Sequence, residues 1–153
     1  MYDQVYAYLS EHSIISKSQS GFRCIHSTVT VLLQETVSWA FDIDRGNVNA
    51  VVFLDLKKAF DTVDHTILLS KLSTYGIQEN AYNWFKSYLE NRTQICSVSS
   101  SLSKTCFLQC GIPQRNILDP LLFLLYINDL PNCLTNSYPR LYAHDTHLTS
   151  HLR

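Results

Sequence analysis

Val52-Phe53-Leu54-Asp55-Leu56-Lys57-Lys58-Ala59-Phe60-Asp61-Thr62-Val63-Asp64-His65 is the stretch on which the fold turns. It closes a continuous β-favouring run, Ala50 to Leu54, and the lack of alternation predicts a strand buried on both faces. Such a strand carries Asp55 at its carboxyl end, where ligand sites form. Lys57 and Lys58 read as a solvated face. Asp61 and Asp64 read as caps at the entry to the next helix rather than as ligands.

Upstream, residues 26 to 44 place Val29, Leu33, Val37 and Ala40 or Phe41 at helical spacing, and Arg45-Gly46-Asn47 supplies a stop. Downstream, a second helix opens at Ile67 and is closed by Tyr75-Gly76, and a third is expected from Asn80 to Leu89. Thr93 to Val98 and Thr105 to Gln109 predict two strands across the turn Ser99-Ser100-Ser101. Asp119-Pro120 is a helix start, aspartate capping free amides and proline sitting in the first turn; that helix should run to about Leu130. Residues 138 to 150 predict a short hairpin with His144-Asp145 near its bend. Helices interleaved with a few strands make the fold class α+β.

The composition bounds what the chain can do. Its 153 residues, 46% of them hydrophobic, suffice for one domain with a core. A formal net charge of -1 leaves no basic footprint, which argues against tight unaided nucleic-acid binding. Cys24, Cys96, Cys106, Cys110 and Cys133 form neither a CxxC pair nor a zinc-type cluster, and are expected to be reduced, mostly buried thiols of an intracellular protein, nuclear or cytoplasmic. No secretory signal opens the chain. The apolar run Leu121 to Ile127 stops at Asn128-Asp129, well short of a bilayer span of ~20 residues. His26, His65, His147 and His151 have no spacing that demands a metal and are taken as structural.

Asp55 and Asp145, on separate elements, are candidates for a paired-carboxylate metal site, since phosphoryl transfer with hard cations needs oxygen ligands from converging strand ends. Taken without context, a strand-end aspartate is more often a turn or cap residue. Context comes from the opening stretch, which closely resembles the first palm motif of reverse transcriptases (RNA-directed DNA polymerases) from non-LTR, LINE/jockey-like retrotransposons. Gln19-Ser20-Gly21-Phe22-Arg23 with His26-Ser27-Thr28 resembles the family's fingers motif. Ser87-Tyr88-Leu89, Asn91-Arg92, Gln94, Cys110-Gly111-Ile112-Pro113-Gln114 and Leu121 to Pro131 follow in family order. The resemblance covers essentially the whole chain.

The resemblance implies a right-hand polymerase fold, with a fingers remnant over about 1–48 and palm over about 49–153, and the metal-site β-hairpin at the C-terminal end. It implies catalytic metal on Asp55 and Asp145 with the backbone carbonyl of Leu56 as a further ligand, and Mg2+ as the ion. Phe60 matches the position that crowds the sugar 2′-hydroxyl, and without the motif it would read as core. Arg23 matches a residue that contacts the incoming triphosphate, its guanidinium fork suiting phosphate oxygens. Gln114 lies in the loop that packs against the nucleotide. Implied partners are an RNA template, a DNA primer and deoxynucleotides, without a membrane.

Three departures point to a partial, degenerate copy. The family hairpin reads aromatic-Ala-Asp-Asp, whereas this chain reads Tyr142-Ala143-His144-Asp145, so a neutral imidazole stands where a carboxylate ligand is expected. Arg115 stands where the family's loop has the glycine of Pro-Gln-Gly-Ser. The later palm elements and the thumb, which clamps the template–primer duplex, are absent from the matched motifs. Little or no polymerase activity is therefore expected. A non-catalytic nucleic-acid- or protein-binding remnant, with apolar area exposed where missing parts once packed, and a pseudogene product without function stay open as alternatives.

Overall fold

A computed structural model of the protein describes residues 1–114 and 116–152, with His151 and Leu152 described by their backbone only. Arg115 and the side chain of His151, both singled out in the sequence, lie outside the described residues. Two compact units form, one from Met1–Lys57 with Ile127–Arg153 and the other from Lys58–Tyr126.

The first unit begins with α1 (Tyr2–Glu11), which buries Val5 and Leu9. Helix α2 (Thr28–Asp44) starts at Ser27, whose hydroxyl accepts from the Thr30 amide while the Thr30 hydroxyl accepts from the Ser27 amide. This reciprocal box satisfies two donors that the first turn leaves over. The helix ends where expected, at Arg45, with Gly46 following at φ +78. Strand β1 (Val48–Asp55) then pairs antiparallel with β7 (Asp145–Leu152), which also pairs with β6 (Tyr138–Tyr142). The sheet order is β1-β7-β6.

Two expectations fail in this unit. β1 is an edge strand of an antiparallel sheet rather than a strand covered on both faces, and Val48, Val52 and Phe53 are exposed. The apolar run does form a strand, but such a run carries no information on which neighbours exist to cover it. Likewise the apolar period of α2 exists, yet Val29, Leu33, Val37 and Phe41 face solvent. The opposite face, Val31 and Glu35, is the buried one. Polar contacts hold it. The Glu35 carboxylate, 1% exposed, lies 2.9 Å from His147 Nδ1 on β7, and Trp39 Nε1 donates to the Thr149 hydroxyl at 3.3 Å.

In the second unit, Asp64 is the N-cap of α3 (His65–Thr74), its carboxylate accepting from the Ile67 amide at 3.0 Å, as expected of a helix-entry residue. Helix α4 (Glu79–Leu89) buries Phe85 and Leu89. The strand pair across the serine turn is broken in two: β2 (Thr93–Gln94) pairs with β5 (Cys106–Phe107), and β3 (Ser97–Val98) with β4 (Ser101–Leu102). Helix α5 (Leu118–Ile127) is apolar all round and buries Leu121 to Leu125. It stops short of Leu130, where a 3-10 turn spans Leu130–Cys133. Lys71 Nζ and the Tyr75 hydroxyl donate to the carbonyls of Tyr126 and Leu125, meeting acceptors that the last turn leaves open.

All five cysteines are free and exposed, not buried as expected, because they fall in turns, short edge strands and loops rather than on core-facing positions. No helix among the described residues is long and apolar enough to cross a membrane.

The inverted packing of α2 is testable. Leu33→Glu together with Val37→Lys is expected to change the unfolding free energy by less than about 0.5 kcal/mol, whereas Glu35→Ala should cost about 3 kcal/mol by stranding His147. Urea midpoints read both. A surface pair that costs more than Glu35→Ala would mean that α2 packs the other way round.

Candidate functional site

The strand register builds the site. Asp55, last residue of β1, lies directly across from Asp145, first residue of β7, and Tyr142 of β6 pairs with that same Asp145. Ala143 and His144 are then the two residues of the tight turn. One donor atom from each of Asp55, His144 and Asp145 lies within 4.8 Å of the other two. His144 Nε2 is 3.9 Å from Asp55 Oδ1, too long for a hydrogen bond, and the Asp55 side chain is 78% exposed. The sequence expectation of a hairpin with His144-Asp145 at its bend holds, and Asp55 and Asp145 do come together. Leu56 follows directly and is exposed.

The segment Ser18 to Gly21 fixes the turn. Ala143 has φ +56, a backbone conformation costing an L-residue about 1 kcal/mol or more. Gln19, 2% exposed, accepts from the Ala143 amide at 3.1 Å and from the Gly21 amide at 2.7 Å through one oxygen. Its amide nitrogen donates to the Ala143 carbonyl at 3.4 Å. The neighbouring backbone adds two bonds, Ser20 amide to Leu141 carbonyl and Leu141 amide to Ser18 carbonyl, both 2.8 Å. Gly21 is obligatory, since a Cβ there would lie 2.1 Å from the Ala143 nitrogen. Arg23 Nη1 donates to the carbonyls of Ser16 and Gln19, which holds its guanidinium beside this clamp.

In the second unit, Phe60 is half-buried with its ring 4.6 Å from that of Phe123. Gln114 donates to the Asp61 carboxylate at 2.6 Å, so Asp61 steadies the loop rather than capping a helix. Phe60, Gln114, Asn116, Asp119 and Pro120 line a cavity of about 320 Å³. The stretch before it is pinned: the Gly111 amide donates to the Val63 carbonyl, the Ile112 amide to the Phe60 carbonyl, and His65 Nε2 to the Gly111 carbonyl. Gly111 has φ +88 and lies so near Asp61 that a Cβ would meet its carbonyl at 2.9 Å. Together with Arg92, Gln94 and Pro113, this stretch lines an open groove of about 810 Å³.

Asp119 is the second residue of α5 and not its N-cap: its carboxylate reaches back to accept from the Asn116 amide at 2.7 Å. The Tyr88 hydroxyl donates to it at 3.4 Å and accepts from the Asn116 side-chain amide at 2.9 Å. Burial raises the Asp119 carboxyl above its ordinary 3.8, against the pull of those hydrogen bonds. The Tyr88 hydroxyl is raised in turn by its own burial and by the Asp119 charge. Gln19, Gly21 and Asp119 are the supporting residues whose roles sequence reasoning missed. Of these only Gly21 offers a signal, as a position where a side chain is excluded.

A tight hairpin that presents a carboxylate and an imidazole against a strand-end carboxylate defines a candidate cation site of the kind used in phosphoryl transfer. The comparisons with known proteins then narrow the class. The family model described as reverse transcriptase (RNA-dependent DNA polymerase) matches residues 1–152. A probable RNA-directed DNA polymerase from transposon BS of Drosophila melanogaster is 38% identical over 125 residues, 80% of this chain and 14% of the relative. The RNA-directed DNA polymerase from mobile element jockey of the same species is 36% identical over 118 residues, 76% of this chain and 13% of the relative. The polymerase named for the X-element is 32% identical over 130 residues, 84% of this chain and 14% of the relative.

This chain belongs to the reverse transcriptase family, with relatives among non-LTR, LINE-like mobile elements. It spans about 14% of the length of those curated relatives. Membership implies a polymerase palm-and-fingers fold, with which the mixed helix and sheet agree. Members use divalent metal ions and bind template, primer and nucleotides.

Two outcomes check the supporting residues. Gly21→Ala should open the turn, seen as faster hydrogen exchange at the Ala143 and Leu141 amides, and unchanged protection would remove the clamp from the account. A carboxyl with a raised folded pKa binds its proton more tightly in the native state, so its contribution to stability is greatest at pH below 3.8 and falls as pH rises through the raised value. Asp119→Asn should therefore gain stability relative to the native chain as pH rises from acid to neutral. Urea titrations at several pH values read this, and a flat difference would mean an unperturbed carboxyl.

Proposed function

We propose that this chain is part of the RNA-directed DNA polymerase domain of a LINE-like element, carrying the site of nucleotide transfer in a form that has lost most of its activity. The observation that carries the reading is the Asp55–Asp145 register with His144 at the turn between them and the end of β6. In the proposed reaction the 3′-hydroxyl of a DNA primer, paired to an RNA template, attacks the α-phosphorus of a deoxynucleoside triphosphate and pyrophosphate leaves. Arg23, steadied by the Ser16 and Gln19 carbonyls, would bind triphosphate oxygens. Phe60, its ring backed by Phe123, would crowd a 2′-hydroxyl, and Gln114, tied to Asp61, would pack against the nucleotide. The division into fingers over about 1–48 and palm over about 49–153 belongs to the same proposal.

Asp55, the Leu56 carbonyl and Asp145 are the groups that would hold Mg2+. A pair of magnesium ions does not fit the donor set, because one of three side chains offers imidazole nitrogen and the site carries one negative charge too few. Stabilisation of the charge that builds on the transferring phosphoryl group falls accordingly. Five exposed, free thiols suit a reducing compartment, and we place the protein inside the cell. A non-catalytic binding remnant is the second reading, favoured by the exposed apolar face Val29, Leu33, Val37 and Phe41 of α2.

The test is primer extension on an RNA template by the jockey polymerase with its hairpin replaced by Leu141–Thr146 of this chain, and by the same chimera carrying His144→Asp. Extension should drop by about a hundredfold or more in the first and return in the second. Equal extension by both would sink the claim of lost activity. Salt-sensitive binding of an RNA–DNA hybrid by the chain itself, without incorporation, would favour the second reading.

A further inference from the structure

We infer that Asp55, His144 and Asp145 bind one borderline transition-metal dication, Zn2+ or Co2+, in preference to Mg2+. The proposal goes beyond the polymerase reading and does not need the chain to polymerise anything. It rests on the donor atoms. Two carboxylates and one imidazole nitrogen, from two adjacent strand ends and the turn joining β6 to β7, lie within 4.8 Å of one another. His144 Nε2 and Asp55 Oδ1 are 3.9 Å apart. Two ligands of a four-coordinate ion with ~2.1 Å bonds sit about 3.4 Å apart, so a small side-chain rotation closes the set around one ion.

The chemistry of the donors selects the ion. Magnesium wants oxygen ligands in near-ideal octahedral array and sheds water reluctantly, so exchanging a carboxylate for imidazole costs it both charge and ligand type. Zinc and cobalt gain from the same exchange, because imidazole suits them and their affinity for mixed nitrogen and oxygen sites exceeds that of harder ions. Two carboxylates against one dication leave the site neutral. The exposed Asp55 side chain leaves room for water at the remaining positions, as in open zinc sites with three protein ligands. The turn is also held in shape before any ion arrives, since Gln19 bonds both the amide and the carbonyl of Ala143 next to His144.

The experiment is calorimetric titration of the full chain with Zn2+ and with Mg2+, paired with Co2+ titration followed by visible absorption. No nucleotide or template is present, so a failure here is separate from a failure of the polymerase reading. The exposed thiols of Cys24, Cys96, Cys106, Cys110 and Cys133 are alkylated first, which removes competing soft ligands. Expected are one equivalent of zinc, a cobalt spectrum without thiolate charge-transfer bands, and weaker magnesium binding. His144→Ala should weaken zinc at least about tenfold, and His144→Asp should shift the zinc-to-magnesium preference towards magnesium by a similar factor. Circular dichroism checks that each variant is folded, with His144→Asp as the conservative replacement. Zinc binding that survives His144→Ala, magnesium bound as tightly as zinc, or no zinc binding by the folded chain would each overturn the inference.

Discussion

The register of β1 on β7 is the constraint on which the site depends. Because successive side chains alternate between faces, a slip of one residue would send Asp55 to the opposite side of the sheet from its partner. Asp55 opposite Asp145 is the last step of a ladder that runs back to Val48 opposite Leu152. The ladder is long enough to fix the register, and the two-residue turn after Tyr142 fixes the other side of the hairpin. Candidate chemistry at the rim therefore follows from pairing along the whole strand rather than from contacts at the rim itself.

A second layer holds the turn. A non-glycine residue at positive φ persists only where its surroundings over-determine it, and Ala143 is held through its amide, its carbonyl and the close approach of Gly21. The segment from Ser18 to Gly21 thus adds a single parallel bridge, Gln19 against Leu141, to β6. In the other unit the loop before α5 has a comparable brace. Asp119 reaches back to the Asn116 amide and Tyr88 bridges both residues, at the expense of burying a carboxyl.

Much of this was legible in the sequence. Local signals gave the elements: the closure of α3 at Tyr75-Gly76, the stop of α2 at Arg45-Gly46 and the hairpin at His144-Asp145 all follow from turn chemistry and periodicity. Metal-site chemistry singles out Asp55 and Asp145 as a candidate carboxylate pair, and the family resemblance supplies the context that raises the pair above two turn residues. Burial was the part misread. Val29, Leu33 and Val37 have a core-like period but face solvent, and Glu35, which looks like a surface charge, is buried against His147. A single sequence reports the period of a face, whereas the cover over that face depends on partners distant in the chain. Gln19 was missed for the same reason, since a buried amide that satisfies backbone groups more than a hundred residues away leaves no spacing to read.

The same structure explains how the site's chemistry can change without loss of the fold. The contacts described above that shape the turn are made to backbone: Gln19 to the amide and carbonyl of Ala143, Ser18 and Ser20 to Leu141, Gly21 against the Ala143 nitrogen. None of these reads the side chain at position 144, which is 42% exposed. Exchanging a carboxylate for imidazole there should leave hairpin stability within the small range of surface substitutions, while altering the charge and ligand type of the site. The backbone bonds that hold the turn and the donor type at position 144 are therefore separable features of the hairpin.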